Sequence, residues 1–85
     1  MGSLLVKSGI KSLASLRTGE KGLVKGVECA NRELRNKLLT MGIVEGAEVE
    51  VARVAPLGDP INIKVLGFML ALRLSEAEHI RIALA

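Results

Sequence analysis

The sequence has few of the residues on which common functional sites depend. Among 85 residues there is one aromatic side chain, Phe68, with neither Trp nor Tyr, and one histidine, His79. Proteins that bind single-stranded nucleic acid stack bases on several aromatic side chains. The net charge of +3 permits nucleic acid, but Lys and Arg are scattered rather than clustered in one patch. A basic nucleic-acid-binding barrel is therefore the least favoured alternative.

The sequence also predicts neither a disulfide within the chain nor a membrane span. Cys29 is the one cysteine, so no disulfide can form within the chain and a reducing compartment is expected. Charges interrupt every apolar run before it reaches the length of a bilayer span. The start, MGSLLVKSGI, has no secretory signal pattern. We expect a cytoplasmic protein that reaches the inner membrane only through a partner.

The domain organisation predicted from the sequence is simple. Residues 1–11 are interpreted as an N-terminal extension whose Met-Gly-Ser start resembles a cloning remnant, and residues 12–85 as one domain. The content of 49% hydrophobic residues is enough for a packed core. That core must be aliphatic because aromatic residues are nearly absent.

Motifs for catalysis are absent from the sequence. One histidine and one cysteine exclude a histidine pair and a CxxC motif, and no P-loop, dinucleotide fingerprint or GxSxG occurs. We therefore predict that the protein is not an enzyme and has no intrinsic cofactor. Glu76 and His79, three residues apart, are weak candidates for a divalent transition metal (Fe, Zn or Mn), with Cys29 as a softer third. Two ligands fall short of the four of a structural zinc site, so a solvated Glu and a surface His are favoured over a metal-binding or metalloregulator-type domain.

The run NRELRNKLLTMG predicts the main helix. Asn31 is a good N-cap, Gly42 fits the residue after the helix in a Schellman motif, and Ile43 can fold back on Leu38. Glu33 and Lys37 are spaced as a favourable ion pair.

Leu39 lies off the apolar stripe of this helix, between Arg32 and Arg35 on a helical wheel. One interpretation is a second core contact or a tolerated exposed leucine. The other is a docking surface of one leucine framed by two arginines.

Alternating apolar residues predict the strands. They begin with a short edge strand in SLASLRTGEKG and a strand from Gly22, and they end with IRIAL. A bulge or a close approach of two backbones is expected near Gly26, and a bulge at Ala52 or Arg53. The run Phe68 to Leu74 is read as one strand whose even-numbered residues share one face, followed by a helical turn with a capping box from Ser75 to Glu78. The pattern predicts a mainly β fold, a small curved barrel, with an open sheet covered by the helix as the alternative.

Both prolines of the chain lie in one segment, APLGDPINI, at residues 55–63. Pro56 and Pro60 fix φ, Gly58 permits a left-handed conformation and Asp59 can hold the turn through its side chain. We therefore expect a stiff loop between two strands, with Leu57 near its tip as a contact residue.

Three ordered blocks resemble the ferrous iron transport protein A family, FeoA. They are LLTMGIVEG, with its key positions at Leu38 to Gly46, APLGDPI at Ala55 to Ile61, and LALRLSEAEHI at Leu70 to Ile80. The resemblance covers nearly the whole chain from Ser12 to Leu84.

The resemblance implies a cytosolic SH3-like β-barrel of about five or six strands, with one helix after the first barrel strand and a helical turn before the last. Such proteins support ferrous iron uptake with the membrane GTPase transporter FeoB, and a similar barrel occurs in diphtheria-toxin-repressor-type regulators. The resemblance supplies neither catalytic residues nor metal ligands. We predict a module that binds and regulates FeoB through two surfaces, with self-association left open. The predicted contact residues are Pro56, Leu57, Gly58, Asp59 and Pro60 in the loop, and Arg32, Arg35 and Leu39 on the helix.

Overall fold

The computed structural model describes residues 10–84, which form six strands and three short helices. In chain order these are β1 (Ile10–Ser12), a 3-10 helix (Leu13–Ser15), β2 (Lys21–Val27), α1 (Arg32–Thr40), β3 (Glu48–Val54), β4 (Ile61–Val65), β5 (Phe68–Leu72), α2 (Leu74–Ala77) and β6 (Ile80–Leu84). All strand pairs are antiparallel and form one sheet in the order β1-β6-β2-β3-β4-β5. The mainly β prediction is confirmed. β1 begins inside the predicted N-terminal extension, and residues 1–9 of that extension lie outside the described residues.

The core is aliphatic, as the composition predicts. Its fully buried members come from every large element: Leu13, Val24, Leu38, Ile43, Val49, Val51, Ile63, Val65, Leu72, Ile80 and Ile82. Among residues 10–84 no polar or charged side chain is buried. The inward faces of the strands therefore enclose one continuous apolar cluster, closed at one side by Leu38 of α1.

Two bulges bend the sheet around this core. The pairing of β2 with β6 shifts register between Val24 and Gly26, and that of β3 with β4 between Val51 and Arg53. The bulge in β3 was predicted from broken alternation, and the one in β2 from the glycine that interrupts the strand, Gly26. A bulge increases local twist and bends its strand, which lets five-residue and seven-residue strands curl around a small core.

A close backbone approach occurs at Gly22 rather than Gly26. A Cβ built on Gly22 would lie 2.2 Å from the carbonyl oxygen of Ala83, whereas one built on Gly26 would meet nothing within 4 Å. Gly22 pairs with Leu84 on one side and Val49 on the other. The absence of a side chain there lets β6 cross close over β2.

The ends of α1 follow the predicted capping pattern. Asn31 Oδ1 accepts a hydrogen bond from the Leu34 N–H at 3.1 Å. Gly42, at φ +95°, donates to the Leu39 carbonyl at 3.1 Å, and Ile43 donates to the Leu38 carbonyl at 3.0 Å. These two bonds are those of a Schellman motif.

Several local predictions are wrong. The capping box from Ser75 to Glu78 does not form because α2 begins at Leu74, where Glu76 Oε1 accepts from the Arg73 N–H at 2.9 Å. Leu74 therefore belongs to this helix and not to β5.

Two other predictions miss the observed pairing. Lys37 pairs with Glu76 at 2.9 Å instead of Glu33, and the predicted first edge strand turns into the 3-10 helix after Ser12. For Lys37, an ion pair across the fold replaces the local one.

The hairpin of β4 and β5 has a two-residue turn. Leu66 and Gly67 have φ of +52° and +82°, the combination of a type I′ turn. Phe68, Leu70 and Leu72 lie on one face of β5, as predicted, because they pair with the buried Val65, Ile63 and Ile61. Phe68 follows the turn at the end of the sheet and is 70% exposed.

Candidate partner-binding surfaces

The loop of residues 55–60 joins β3 to β4 and presents Leu57 to solvent. Leu57 is 96% exposed, the most exposed of the large apolar side chains described. The base of the loop is closed by the Ala55 N–H, which donates to the Pro60 carbonyl at 3.1 Å. Gly58 turns the chain at φ +87° and donates to the Ala55 carbonyl at 2.7 Å. The loop is thus ordered by its own hydrogen bonds, with Leu57 outside them.

Asp59 fixes this loop to a distant element. Its Oδ1 accepts a hydrogen bond from the Leu74 N–H at 2.9 Å. Leu74 opens α2, so the carboxylate satisfies one of the helix N–H groups that have no partner within the helix. The side chain thus stabilises a contact between the loop and the helix.

α2 in turn contacts α1. Glu76 Oε2 pairs with Lys37 Nζ at 2.9 Å, while Oε1 holds the Arg73 N–H. The hydrogen bond from the Arg73 backbone, followed by that from Lys37, holds the pKa of Glu76 below its ordinary value. The elements that carry the two predicted surfaces are therefore connected through α2.

The outward face of α1 carries the second predicted surface. Arg32 and Arg35 are exposed, and Leu39 is 42% exposed next to the fully buried Leu38. Helical spacing places Lys37, which holds α2, on the other flank of α1 from Arg35. Leu39 is thus not a core contact but an exposed leucine, on the face of α1 for which the docking surface is predicted.

Each residue considered for a metal makes a hydrogen bond within the chain. Both oxygens of Glu76 accept hydrogen bonds within the chain. His79 Nδ1 lies 2.9 Å from the Glu28 carbonyl oxygen, so this nitrogen carries a proton and donates. Cys29 Sγ lies 3.5 Å from the Asn31 carbonyl oxygen. Over residues 10–84 no group of three or more His, Cys, Asp or Glu is placed to hold a metal ion.

The hairpin tip carries apolar surface that the sequence reasoning missed. Leu66 is 61% exposed, Phe68 70% and Met69 59%. The signal was the run LGFM, which is apolar on both faces of a strand. Beside this tip is a shallow depression of about 250 Å³, lined by Glu48, Glu50, Lys64, Leu66 and Gly67. Glu50 lies between Lys21 and Lys64 across the sheet, so charges of both signs balance there.

Within residues 10–84 no helix is long and apolar enough to cross a membrane.

Comparisons with known proteins agree on one family. Residues 11–84 match the FeoA domain family. A fusion of Fe(2+) transport protein A with the Fe(2+) transporter FeoB, from Porphyromonas gingivalis, is 32% identical over 72 residues. That match covers 85% of this chain but 8% of the fusion protein, so this chain spans a small part of the length of that relative.

Solved structures confirm the fold. The solution structure of FeoA protein from Chlorobium tepidum is 40% identical, with a TM-score of 0.78 over 87% of this chain and 70% of that one. FeoA from Stenotrophomonas maltophilia, described as an SH3 domain protein complexed with zinc, is 28% identical, with a TM-score of 0.73 over 87% and 88%. The predicted SH3-like fold is therefore confirmed.

A manganese-dependent transcriptional repressor shares the fold alone. It is 17% identical, with a TM-score of 0.82 over 89% of this chain and 42% of that chain. The expected resemblance to metal regulators is therefore a resemblance of fold.

The family match spans nearly all of the described chain, and the solved relatives superpose on the sheet and its helices as one unit. The protein belongs to the FeoA domain family, a family of accessory proteins linked to ferrous iron transport.

Proposed function

We propose that this protein binds an FeoB-type membrane GTPase transporter and regulates ferrous iron uptake through that contact. The loop of residues 55–60 inserts Leu57 into the transporter, and the outward face of α1 adds Arg32, Arg35 and Leu39. The observation that carries the proposal is the 96% exposure of Leu57 on a loop held by its own hydrogen bonds.

The energetics favour Leu57 as an anchor. Burying a fully exposed leucine contributes about 1.5–3 kcal/mol. Ordering a flexible loop on binding would offset much of that gain. Here the hydrogen bonds of Ala55 and Gly58 and the Asp59 contact to Leu74 fix the loop before binding, so most of the gain remains available.

The arginines of α1 suit a partner surface with acidic groups. Arginine is enriched at protein interfaces, and complementary charge accelerates association more than it raises affinity. The fusion relative supports an FeoB partner because its FeoA and FeoB parts belong to one polypeptide. On this proposal the protein acts at the cytosolic side of the membrane and supplies no catalytic group of its own.

The test is binding of the full chain to the GTPase domain of the transporter, measured by calorimetry. Leu57→Asp should weaken binding by at least about tenfold, since a buried leucine contact of this size is lost. Leu57→Met, which keeps apolar volume, should bind nearly as well as the unmodified chain. Thr18→Asp, in an exposed turn, adds the same charge without removing an apolar side chain and should also bind normally.

A second pair of variants separates the two surfaces. Arg32→Glu with Arg35→Glu should slow association and reduce its salt dependence. The GTP hydrolysis rate of the domain, with and without each variant, then reports whether contact changes turnover. If folded Leu57→Asp binds as tightly as the unmodified chain, the loop has no role; if the unmodified chain does not bind, the proposal is wrong.

A further inference from the structure

The outer edge of β5 offers backbone hydrogen bonds to a further strand. β5 ends the sheet order, and within residues 10–84 it pairs only with β4. Val65 and Phe68 flank the two-residue turn, so they form a hydrogen-bonded pair, and the alternation of an antiparallel ladder follows from there. The N–H and C=O groups of Met69 and Ala71 therefore point away from β4.

This edge lacks the usual protection against pairing. Natural edge strands are commonly blocked by charged side chains, by proline or by short length. β5 reads Phe-Met-Leu-Ala-Leu, five uncharged residues without proline. At the opposite end of the sheet β1 carries Lys11, which pairs with the buried Ile82 and so places a charge on the core-facing side of that edge. One edge is blocked and the other is open.

The open edge is complementary to itself. In antiparallel pairing of two copies centred on Leu70, Met69 of one copy faces Ala71 of the other, twice by symmetry. Each facing pair exchanges two hydrogen bonds, which gives four in all. Phe68 then lies opposite Leu72 of the second copy on the other face. Leu72 is already buried, so the apolar area gained at this pair is that of the exposed Phe68 ring. No like charges come into opposition along the strand.

We propose that β5 is a self-association edge, and that its occupant is β5 of a second copy of this chain, paired antiparallel about Leu70. The apolar exposure of the segment supports this: Phe68 is 70% exposed and Met69 59% exposed. The pairing joins two sheets into one of twelve strands.

The first measurement is the association state of the full chain by sedimentation equilibrium up to millimolar concentration. A monomer–dimer equilibrium is expected. In a sample mixed from isotope-labelled and unlabelled chains, an intermolecular NOE between the two Leu70 Hα atoms is expected, because residues in a non-hydrogen-bonded pair have Cα atoms only about 4.5 Å apart.

A pair of double variants tests the register. Met69→Glu with Ala71→Glu places like charges opposite each other twice and should weaken association by at least about tenfold. Met69→Glu with Ala71→Lys changes the same positions but places opposite charges together and should retain dimers. Within one copy Glu at 69 faces Lys64 across the hairpin, so both variants should fold, which circular dichroism checks.

Three results would overturn the proposal. The chain could remain monomeric at millimolar concentration. It could form dimers that respond alike to both double variants, which would place the interface elsewhere. Alternatively, the β5 amides of a monomeric chain could become protected only when the transporter domain is added, which would assign this edge to strand addition by a partner.

Discussion

The two connections at the ends of β4 both expose a leucine, yet they use it differently. The loop of residues 55–60 holds itself by backbone bonds and by Asp59, and Leu57 takes part in none of these contacts. At the other end, Leu66 packs over the end of α1: a Cβ added to Gly42 would lie 2.9 Å from Leu66 Cδ1. Exposure alone therefore does not identify a binding residue. A leucine that the fold does not use is the better candidate.

The largest effect on stability is expected at Gly42, against which Leu66 packs. Gly42→Ala forces a side chain at φ +95° and against Leu66. The backbone conformation alone should reduce the free energy of unfolding by about 1–2 kcal/mol, and the contact should add to that loss. Gly46→Ala is the matched control because its φ is +90° with no atom within 4 Å of the added Cβ. If chemical denaturation gave the same loss in the free energy of unfolding for both variants, Leu66 would not pack against residue 42.

Asp59→Ala breaks the contact that holds the loop. Removing a side-chain cap of this kind costs about 1 kcal/mol, and the Leu74 amide should exchange with solvent faster. Asp59→Asn retains an acceptor oxygen and should lose less. If the Leu74 amide keeps its protection in the Ala variant, the loop is not tied to α2 in solution.

A smaller effect should appear in acid through Glu76. Its pKa is lowered in the folded protein from the ordinary 4.5, so the folded state favours the carboxylate. The resulting stabilisation is present above pH 4.5 and is lost as the pH falls through the lower, folded-state pKa. Glu76→Gln should flatten the loss of stability in this range. Glu78→Gln, at an exposed position two residues on, should leave the profile unchanged, and identical profiles for the two variants would contradict the assignment.

The smallest expected effect lies at Leu57 itself. Leu57→Ser should change the free energy of unfolding by less than about 0.5 kcal/mol, as is usual for surface positions. Leu66→Ser should cost more because it removes packing over Gly42. Equal costs in thermal unfolding would remove the distinction between the two leucines.

Features decided by neighbouring residues could be predicted from the sequence. Asn31 caps α1 because its side chain reaches an amide three residues on. Gly42 ends that helix because it accepts a positive φ. The bulge of β3 showed as a break in alternation, and that of β2 as a glycine within the strand. All of these depend on a few adjacent positions, where spacing alone carries the information.

Features decided across the fold could not be predicted in this way. Asp59 meets Leu74 across 15 positions, and Lys37 meets Glu76 across 39. Either carboxylate had acceptable local partners, and only the tertiary arrangement selects among them. Alternation placed Phe68 on the same face as Leu70 and Leu72, but it did not indicate that Phe68 is 70% exposed. The candidate site was thus named by residue from the sequence, while the contacts that hold it required the structure.

The crowding at Gly22 has a consequence for how this protein responds to mutagenesis. Any side chain there meets the backbone of Ala83, so a screen that scores expression or solubility would rank Gly22 among the most sensitive positions. The same screen would pass Leu57 as neutral, since its replacement disturbs no contact. A screen that scores attachment to the transporter would rank Leu57 high. Only the two screens together would separate residues that maintain the shape of the domain from those that use it.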